Sequence, residues 1–482
     1  MRIDLSLISH TNVGKTTLAR TLLRRDIGAV GDRAHVTEQA ESAVLIESPA
    51  GDSLVLWDTP GFGDSARLLR RLKQGDGALG WFFTQVWDRL ADRPFWCGQQ
   101  AMRNARESSD VILYVVNASE GPASAGYVDL EMQILSWLDK PVILLLNQVG
   151  APRDGASAQA DIAAWAAHVA RHACVRTVLT FDAFARCWVQ EVALLTSVQA
   201  LLPAGKQAAF DGLQKAWQAR NLAVFDRSME AMAQHICTLA ADREPIVDLD
   251  IKGKARAWIG AASSAMAGGK DRVNAELAQA QKILGTRLAA RVRTATAELV
   301  LLNGLTGSAT DEVLQHVGHE YLVLRPADAD KASVLGGLMS GALGGLAADL
   351  GAGGLTFGAG AVIGGVLGAF GARGLAKAYN VARGSEAGSV RWSNEFLTGR
   401  VAATLVRYLA IAHFGRGRGD FVAGSSPAHW QEAVREALDA RRGQLDSAWA
   451  TGATIADVLP IVSGSAREVL ARLYPDCASM FR

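Results

Sequence analysis

The sequence predicts an α/β domain with a mostly parallel sheet and helices on both faces, followed by a mainly α-helical carboxy-terminal region. Three observations predict this architecture. Short apolar runs alternate with helical stretches up to about residue 205, a loop ending in Gly-Lys-Thr follows the first run, and beyond Pro203 the residues are mostly Ala, Leu, Arg, Gln and Glu. Strands that alternate with helices are typical of a parallel sheet that is buried on both faces.

Length and composition limit the possible functions. With 482 residues the chain is long enough for two to four domains. Its 49 Lys and Arg nearly balance its 48 Asp and Glu, so no basic surface for nucleic acid is expected. The five cysteines show no metal-binding spacing, which favours a reducing compartment. The charged amino terminus does not resemble a signal peptide, and a cytoplasmic protein is expected.

The predicted elements follow the hydrophobic pattern. Strands are expected at 3–8, 54–57, 111–116, 142–146 and 178–180. Helices are expected at 16–24, 213–236, 273–305 and 429–445. We predict four regions, namely an α/β domain at 1–205, a helical region at 206–333, a Gly/Ala-rich hairpin at 334–376 and a second helical region at 377–482.

The loop after the first strand is typical of phosphate binding. Residues 9–16 read Ser-His-Thr-Asn-Val-Gly-Lys-Thr and fit the pattern G-x-x-x-x-G-K-[ST], with Ser9 in place of the first glycine. Gly14 allows backbone N–H groups to surround phosphate oxygens at a helix amino terminus. Lys15 is expected to neutralise the phosphates and Thr16 to bind Mg²⁺. Ser9 is expected to be strained if this position requires a backbone conformation that favours glycine.

Two further segments complete the phosphate end of the predicted site. Asp58 closes an apolar strand, where nucleotide hydrolases of this type carry the acidic residue of the Mg²⁺ site. Gly61 follows in Asp-Thr-Pro-Gly and is expected to offer its N–H to the γ-phosphate. Thr37 lies between loop and strand, either as a switch residue that contacts Mg²⁺ or as a residue of a solvated loop.

These motifs together resemble the Era-like P-loop GTPases of bacteria. The resemblance rests on residues 12–18, 57–62 and 146–148 and covers about 1–205. It implies GTP as substrate, slow hydrolysis with Mg²⁺ and two conformations of the switch loops. Asn12 matches an asparagine that helps to hold K⁺ in potassium-dependent relatives, so K⁺ is implied as a second ion. The nucleotide contacts that we expect are Asn12, Val13, Gly14, Lys15, Thr16, Thr17, Asn147 and Asp182.

The sequence departs from this family at two places. Phe62 stands where Ras-like proteins carry a glutamine that orients water, so another group must place the water. The base-recognition motif N-K-x-D reads Asn147-Gln148-Val149-Gly150 and lacks the aspartate. Asp182, after the last predicted strand, is our candidate for a replacement carboxylate, and Asp154 is a weaker one. Both are also compatible with ordinary loop or helix-capping roles.

The region 334–376 is the most unusual part of the sequence. Glycines recur every fourth residue at 337–345 and 360–368, which predicts two helices packed closely as a hairpin. Only the second arm is long enough to span a bilayer, so both membrane contact and burial within the protein are compatible with the pattern. An Era-like domain followed by such a region resembles a bacterial family of two-part GTPases.

Two functions of different classes are compatible with the sequence. The first is a slow Mg²⁺-dependent GTPase, with Lys15, Thr37, Asp58 and Gly61 as catalytic residues and Thr16, Thr37 and Asp58 at the metal. It would switch the helical half, at or near the inner membrane. The alternative is a nucleotide-gated membrane or scaffold module with negligible hydrolysis and weak base specificity. Guanine nucleotide is the expected ligand, although the alternative module would bind GTP or ATP, and a homodimer or a protein partner is also compatible.

Overall fold

The computed structural model describes residues 1–24, 40–73, 93–149, 155–183, 187–246, 266–305, 388–414 and 427–481. The chain forms two compact units. The first comprises Met1–Phe225, Ala412–Val422 and Leu470–Arg482, and the second comprises Asp226–Ile411 and Ala423–Val469. The domain boundaries predicted at 205, 333 and 376 stay predictions.

The first unit contains a six-stranded sheet in the order β2-β3-β1-β4-β5-β6. Its strands are β1 (Arg2–Ser9), β2 (Glu41–Glu47), β3 (Ser53–Asp58), β4 (Val111–Asn117), β5 (Val142–Asn147) and β6 (Val175–Thr180). All neighbouring pairs are parallel except β2 with β3. Every side chain of β5 is buried, as expected for a central parallel strand covered on both faces. The predicted α/β fold is confirmed.

The described helices of this part of the chain lie between the strands and after β6. They are α1 (Lys15–Leu23), α2 (Ser65–Lys73), α3 (Arg93–Glu107), α4 (Gly126–Ser136), α5 (Gly155–Val169), α6 (Gln190–Leu201) and α7 (Ala204–Ala240). Single 3₁₀ segments lie at Pro122–Ser124 and Pro475–Phe481. An apolar core that includes Ile8, Phe62, Tyr114 and Leu146 lies between the sheet and α2, α3, α4 and α5.

The register of the strands places the carboxyl ends of β1, β3 and β5 side by side at the same end of the sheet. Leu7 of β1 lies opposite Asp58 of β3, and Asn117 of β4 lies opposite Asn147 of β5. Ligands of open parallel sheets bind outside the carboxyl ends of the strands. The residues that follow these strands are therefore brought to one place.

One strand of the first unit was not expected. β2 pairs with β3 in antiparallel fashion at the edge of the sheet, with a bulge between Val44 and Ile46. Its apolar run covers only 43–46, a length at which the pattern alone does not separate strand from helix. The partner strand decides its conformation, because pairing satisfies its backbone groups.

The second unit is largely helical, as predicted. Its helices are α8 (Met266–Leu302), α9 (Asn394–Ala412), α10 (Ala428–Asp439), α11 (Arg442–Thr451) and α12 (Ile455–Leu473), together with the end of α7. A small antiparallel pair of β7 (Arg243–Ile246) and β8 (Gly388–Arg391) was not expected. Neither strand has more than four residues, which is too short for a periodic signal.

The helix predicted at 429–445 is two helices. Arg441 leaves helical geometry at φ −112° and ψ 15°, between α10 and α11. Its guanidinium lies 2.6 Å from a carboxylate oxygen of Glu468 on α12, and it also donates to the carbonyl oxygen of Ala437. Tertiary contacts therefore set this break, which the sequence pattern does not mark.

No helix in the described part of the chain is both long enough and apolar enough to span a bilayer. The hairpin predicted at 334–376 lies outside the described residues, as do Thr37, Gly150 and Asp154.

Candidate functional site

The loop between β1 and α1 has the conformation that the motif requires. Gly14 is the N-cap of α1 with φ 83°, a left-handed geometry that favours glycine. A Cβ at Gly14 would lie 2.9 Å from the side-chain nitrogen of Asn147. Asn12 is also left-handed, with φ 66°. The turn therefore leaves the first N–H groups of α1 facing the loop, which is a favourable arrangement for an anion.

Ser9 is not strained in place of the glycine of the pattern. It is the last residue of β1 and lies in register with Val115 of β4, so its backbone is extended. Its hydroxyl donates to the carbonyl oxygen of His10 at 2.7 Å. The strain expected at this position is therefore absent, because the left-handed turns are made at Asn12 and Gly14.

Two predicted site residues converge on the carboxylate of a third. The Nζ of Lys15 lies 2.9 Å from Oδ1 of Asp58, and Oγ1 of Thr16 donates to Oδ2 of the same residue at 2.6 Å. Lys15 is 7% exposed and Asp58 is 2% exposed. Pairing of a buried ammonium with a buried carboxylate avoids the cost of leaving either group without a partner. The hydroxyl and carboxylate oxygens are the hard donors that Mg²⁺ prefers, so these side chains fit that ion.

The segment after β3 packs against the phosphate loop. The N–H of Phe62 donates to the carbonyl oxygen of Ser9 at 2.9 Å, and the N–H of Thr11 donates to that of Phe62 at 3.2 Å. A Cβ at Gly61 would lie 3.1 Å from Cα of Thr11, so a side chain there would push the backbone of the phosphate loop away. Phe62 is fully buried in the apolar core. Its ring therefore packs and does not replace a water-orienting side chain.

Asn147 connects the loop to the predicted base-binding end. Its side-chain NH₂ donates to the carbonyl oxygen of Val13 at 2.7 Å, and its carbonyl oxygen accepts from the N–H of Ala183 at 2.8 Å. Asp182 accepts from the N–H of Val149 at 2.7 Å and is 2% exposed. The structure thus brings Asp182 next to the altered motif, although the two are distant in sequence.

The remaining predicted contacts lie on the phosphate loop and in the first turn of α1. Val13 and Thr17 are buried, at 5% and 6% exposure, and Asn12 is exposed. Gln148 is left-handed with φ 58°, and its side-chain nitrogen would lie 3.3 Å from a Cβ at Gly14. Gln148 therefore covers the loop at the position of the family's lysine. Thr37 lies outside the described residues.

Sequence reasoning missed His10 and Glu131, which contact each other beside the loop. Glu131 is fully buried in α4, and its carboxylate lies 2.7 Å from Nδ1 of His10. A signal was present, because Glu131 shares one helix face with Val128, Met132 and Leu135, which are apolar and buried. A buried acid requires partners, which only the fold identifies.

Comparison with known proteins gives two family matches. Residues 4–148 match the family described as "50S ribosome-binding GTPase". Residues 170–457 match the family described as "Domain of unknown function (DUF3482)". No curated protein sequence matches the chain.

Solved structures of P-loop GTPases resemble part of the chain. An Era variant from Aquifex aeolicus bound to GDP·AlF₄⁻ is 18% identical, with 42% of this chain and 57% of that one covered and a TM-score of 0.31. Era in complex with MgGDPNP and a segment of 16S ribosomal RNA is 18% identical over the same shares, with a TM-score of 0.30. NFeoB from S. thermophilus bound to mGMPPNP is 18% identical over 48% and 70% of the two chains, with a TM-score of 0.24.

The chain spans little more than half the length of the two Era structures. Assignment of the first part therefore rests on the family match at 4–148, the sheet order and the loop geometry. The match at 170–457 covers more than half of the 482 residues. The protein carries a P-loop GTPase domain at its amino-terminal end, and the chain belongs to the DUF3482 family.

Proposed function

We propose that this protein binds GTP together with Mg²⁺ and hydrolyses it slowly, and that the nucleotide state switches the helical carboxy-terminal half. The convergence of Lys15 and Thr16 on the Asp58 carboxylate, at 2.9 and 2.6 Å, carries this proposal. An ammonium, a hydroxyl and a carboxylate meet beside a helix amino terminus, and this set of groups suits a phosphate chain with a divalent ion.

The roles of the residues follow from their chemistry. Lys15 turns from Asp58 to the β- and γ-phosphates, and the N–H groups after Gly14 donate to phosphate oxygens. Thr16, Asp58 and Thr37 would hold Mg²⁺. Bound Mg²⁺ supplies compensation of the negative charge that grows on the phosphates. The N–H of Gly61 contacts the γ-phosphate, so the segment after it senses whether that phosphate is present.

The buried ring of Phe62 supports slow turnover. No side chain at this position reaches the attacking water, so water placement falls to a cation, a protein partner or a second copy of the chain. Asn12 is the residue through which K⁺ would act, and the rates in K⁺ and in Na⁺ test this role. Binding without any release of phosphate above background would instead favour the nucleotide-gated module with negligible hydrolysis.

We propose that Asp182 supplies the carboxylate of the base-binding end. It lies beside Val149, and Ala183 contacts Asn147, so this loop is joined to the altered motif. Asp182→Ala should reduce the preference for GTP over ATP. Asp182→Asn keeps an acceptor for the N–H of Val149 but cannot accept two N–H groups of guanine as a carboxylate does. Loss of preference in both variants, with loop structure kept in Asp182→Asn, identifies direct base contact.

The decisive experiment is binding of labelled GTP, with phosphate release, in wild type and in Lys15→Ala. Lys206→Ala is the control, because Lys206 pairs with Asp110 on the surface of the same unit. We expect Lys15→Ala to lower affinity and rate by at least about a hundredfold, and Lys206→Ala to change neither by more than about threefold. Equal affinity and rate in Lys15→Ala and wild type would reject the proposed function.

Membrane contact through 334–376 is a separate proposal, supported by the glycine spacing of that region. Flotation of the full chain with liposomes, without nucleotide and with GDP or a GTP analogue, tests it. Recovery of the protein only in the bottom fraction in every state would reject the proposal, and with it an inner-membrane location.

A further inference from the structure

One buried carboxylate joins three parts of the first unit. Glu131 on α4 has no exposed surface. Its Oε1 accepts from Nδ1 of His10 at 2.7 Å and from the hydroxyl of Ser65 at 2.5 Å. Its Oε2 accepts from the hydroxyl of Tyr114 on β4 at 2.5 Å. We refer to these four residues as the Glu131 cluster.

Two members of the Glu131 cluster belong to the segments that flank the predicted γ-phosphate. His10 lies in the phosphate loop, between Ser9 and Thr11. Ser65 is the first residue of α2 and follows Gly61 by four positions. Because both donate to the same oxygen, a movement of Ser65 away from the loop breaks a bond to the carboxylate that holds His10.

Backbone contacts near the Glu131 cluster also connect the phosphate loop to the segment 61–65. Phe62 exchanges hydrogen bonds with Ser9 and Thr11, and Gly61 lies against Thr11. The ring of His10 stacks on Tyr127 with centroids 4.6 Å apart. The phosphate loop and the segment 61–65 therefore pack directly against each other. The Glu131 carboxylate on α4 contacts both of them.

A buried carboxylate is costly unless donors surround it, and an apolar residue would pack here at lower cost. The cluster satisfies this requirement with one imidazole and two hydroxyls. Exchange for an amide keeps the volume but replaces one acceptor oxygen with an NH₂ group, so at least one neighbour loses the bond that it donates to the carboxylate. The directional hydrogen bonds of Glu131 thus fix the positions of His10, Ser65 and Tyr114 more closely than apolar packing would.

We propose that Glu131 is a positioning residue for nucleotide hydrolysis, which holds the γ-phosphate-sensing segment 61–65 in register with the phosphate loop through Ser65 and His10. The inference rests on the proposed function and deepens it, because it assigns a residue outside the nucleotide motifs to the hydrolytic geometry. Glu131 bonds to the side chains of Ser65 and His10 and so holds the backbone of the two segments in place.

The test compares Glu131→Gln, Ser65→Ala and the double variant with wild type. Asp129→Asn is the matched control, since Asp129 lies on the same helix and pairs with Arg171 and His172. Single-turnover hydrolysis of GTP and affinity for GDP are measured in the full chain. We expect Glu131→Gln to slow hydrolysis about tenfold or more, because small displacements of reacting groups have such effects. GDP affinity should change by less than about threefold, and Asp129→Asn should match wild type.

Coupling between the two residues separates positioning from general destabilisation. We expect Ser65→Ala to slow hydrolysis less than Glu131→Gln, and the double variant to be no slower than Glu131→Gln, because Ser65 acts through the carboxylate that Glu131→Gln removes. Independent additive losses would overturn the proposal. Hydrolysis at the wild-type rate in Glu131→Gln would overturn it as well, and so would a loss of GDP affinity as large as that of Lys15→Ala.

Hydrogen exchange distinguishes failure of this inference from failure of the proposed function. In the nucleotide-free chain, Glu131→Gln and Ser65→Ala should speed amide exchange in 61–73 while leaving β2 unchanged. This result would support the positioning role even if wild type released no phosphate. Unchanged exchange in 61–73 would overturn it, whatever the wild-type rate.

Discussion

The side-chain NH₂ of Asn147 donates to the carbonyl oxygen of Val13 at 2.7 Å, while the oxygen of the same amide accepts from the N–H of Ala183. One fully buried side chain thus bridges the phosphate loop and the loop after β6. We expect Asn147→Ala to leave two buried backbone groups without partners and to cost about 1–3 kcal/mol for each group. GTP affinity should fall with this loss, as measured by nucleotide titration and urea unfolding.

Asn117→Ala is the control for this prediction. Asn117 lies in register with Asn147 at the end of the neighbouring strand, but its side chain caps the exposed turn at Ser119. We expect no change in GTP affinity there. Equal effects of the two substitutions would show that Asn147 has no special role in joining the loops.

Gly14→Ala should abolish tight nucleotide binding, because the added Cβ collides with Asn147. Gly51 is left-handed as well but lacks that contact, and so separates the steric effect from backbone strain. Gly14 and Gly51 have nearly equal φ values of 83° and 82°. A Cβ at Gly51 meets nothing within 4 Å, whereas at Gly14 it lies 2.9 Å from Asn147. We expect Gly51→Ala to cost about 1 kcal/mol of stability by backbone strain alone, without change in binding. Unchanged GTP affinity in Gly14→Ala would contradict the predicted steric effect.

Asp58→Asn should remove the Mg²⁺ dependence of nucleotide binding. The amide keeps the volume of the buried side chain but loses the charge that pairs with Lys15 and suits the ion. We expect Mg²⁺ to raise the GTP affinity of wild type by about tenfold or more and that of Asp58→Asn by less than about twofold. Asp211→Asn is the control, because Asp211 lies in an exposed pair with Lys215. The same Mg²⁺ response in Asp58→Asn and wild type would refute the metal role.

The contribution of Glu131 to stability should decrease as pH rises. Burial lowers the pKa of His10, but the hydrogen bond and charge of Glu131, with the charge of Glu120, outweigh burial and raise this pKa above its usual value. Tyr127 stacks on the ring and carries no charge in this range. A raised pKa in the folded state stabilises it fully below the unfolded value of about 6.5 and less as pH passes the folded pKa.

The measurement is the urea midpoint of wild type and Glu131→Gln between pH 5.5 and 8.5, a range set about the ordinary histidine pKa of roughly 6.5. We expect the gap between the two proteins to be largest at the acidic end. His10→Gln should remove most of this pH dependence. A gap that widens with pH would contradict the pairing of His10 with Glu131.

In the second unit, Asp242→Asn should destabilise the pairing of β7 with α8. Asp242 is 7% exposed and lies 3.1 Å from Arg287 and 2.8 Å from Arg291 of α8. Because both arginines are about one-third exposed, we expect a loss of about 1–2 kcal/mol, below that for a fully buried pair. Asp211→Asn, in an exposed pair with Lys215, should cost less than about 0.5 kcal/mol. Equal midpoints of thermal unfolding in Asp242→Asn and wild type would contradict this.

The sequence by itself determined the central strands, α1 and the phosphate loop. These features are local, because the apolar runs of β1, β4 and β5 are long enough to predict strands and Gly14-Lys15-Thr16 needs only its neighbours in the chain. The long helices of the second half were also predictable, since their composition and period favour helix throughout. Asp58 and Asn147 were identified by their order after the loop.

Only the tertiary structure decided which distant groups meet. The edge strand β2, the short pair β7 and β8 and the break at Arg441 depend on partners elsewhere in the chain, and no local pattern marks them. Asp182 reaches Val149, and Glu131 reaches His10 and Ser65, because parallel strands bring their carboxyl ends and the following loops to one edge of the sheet. Burial then decides their roles, since a buried carboxylate must find donors and the fold determines which donors are near.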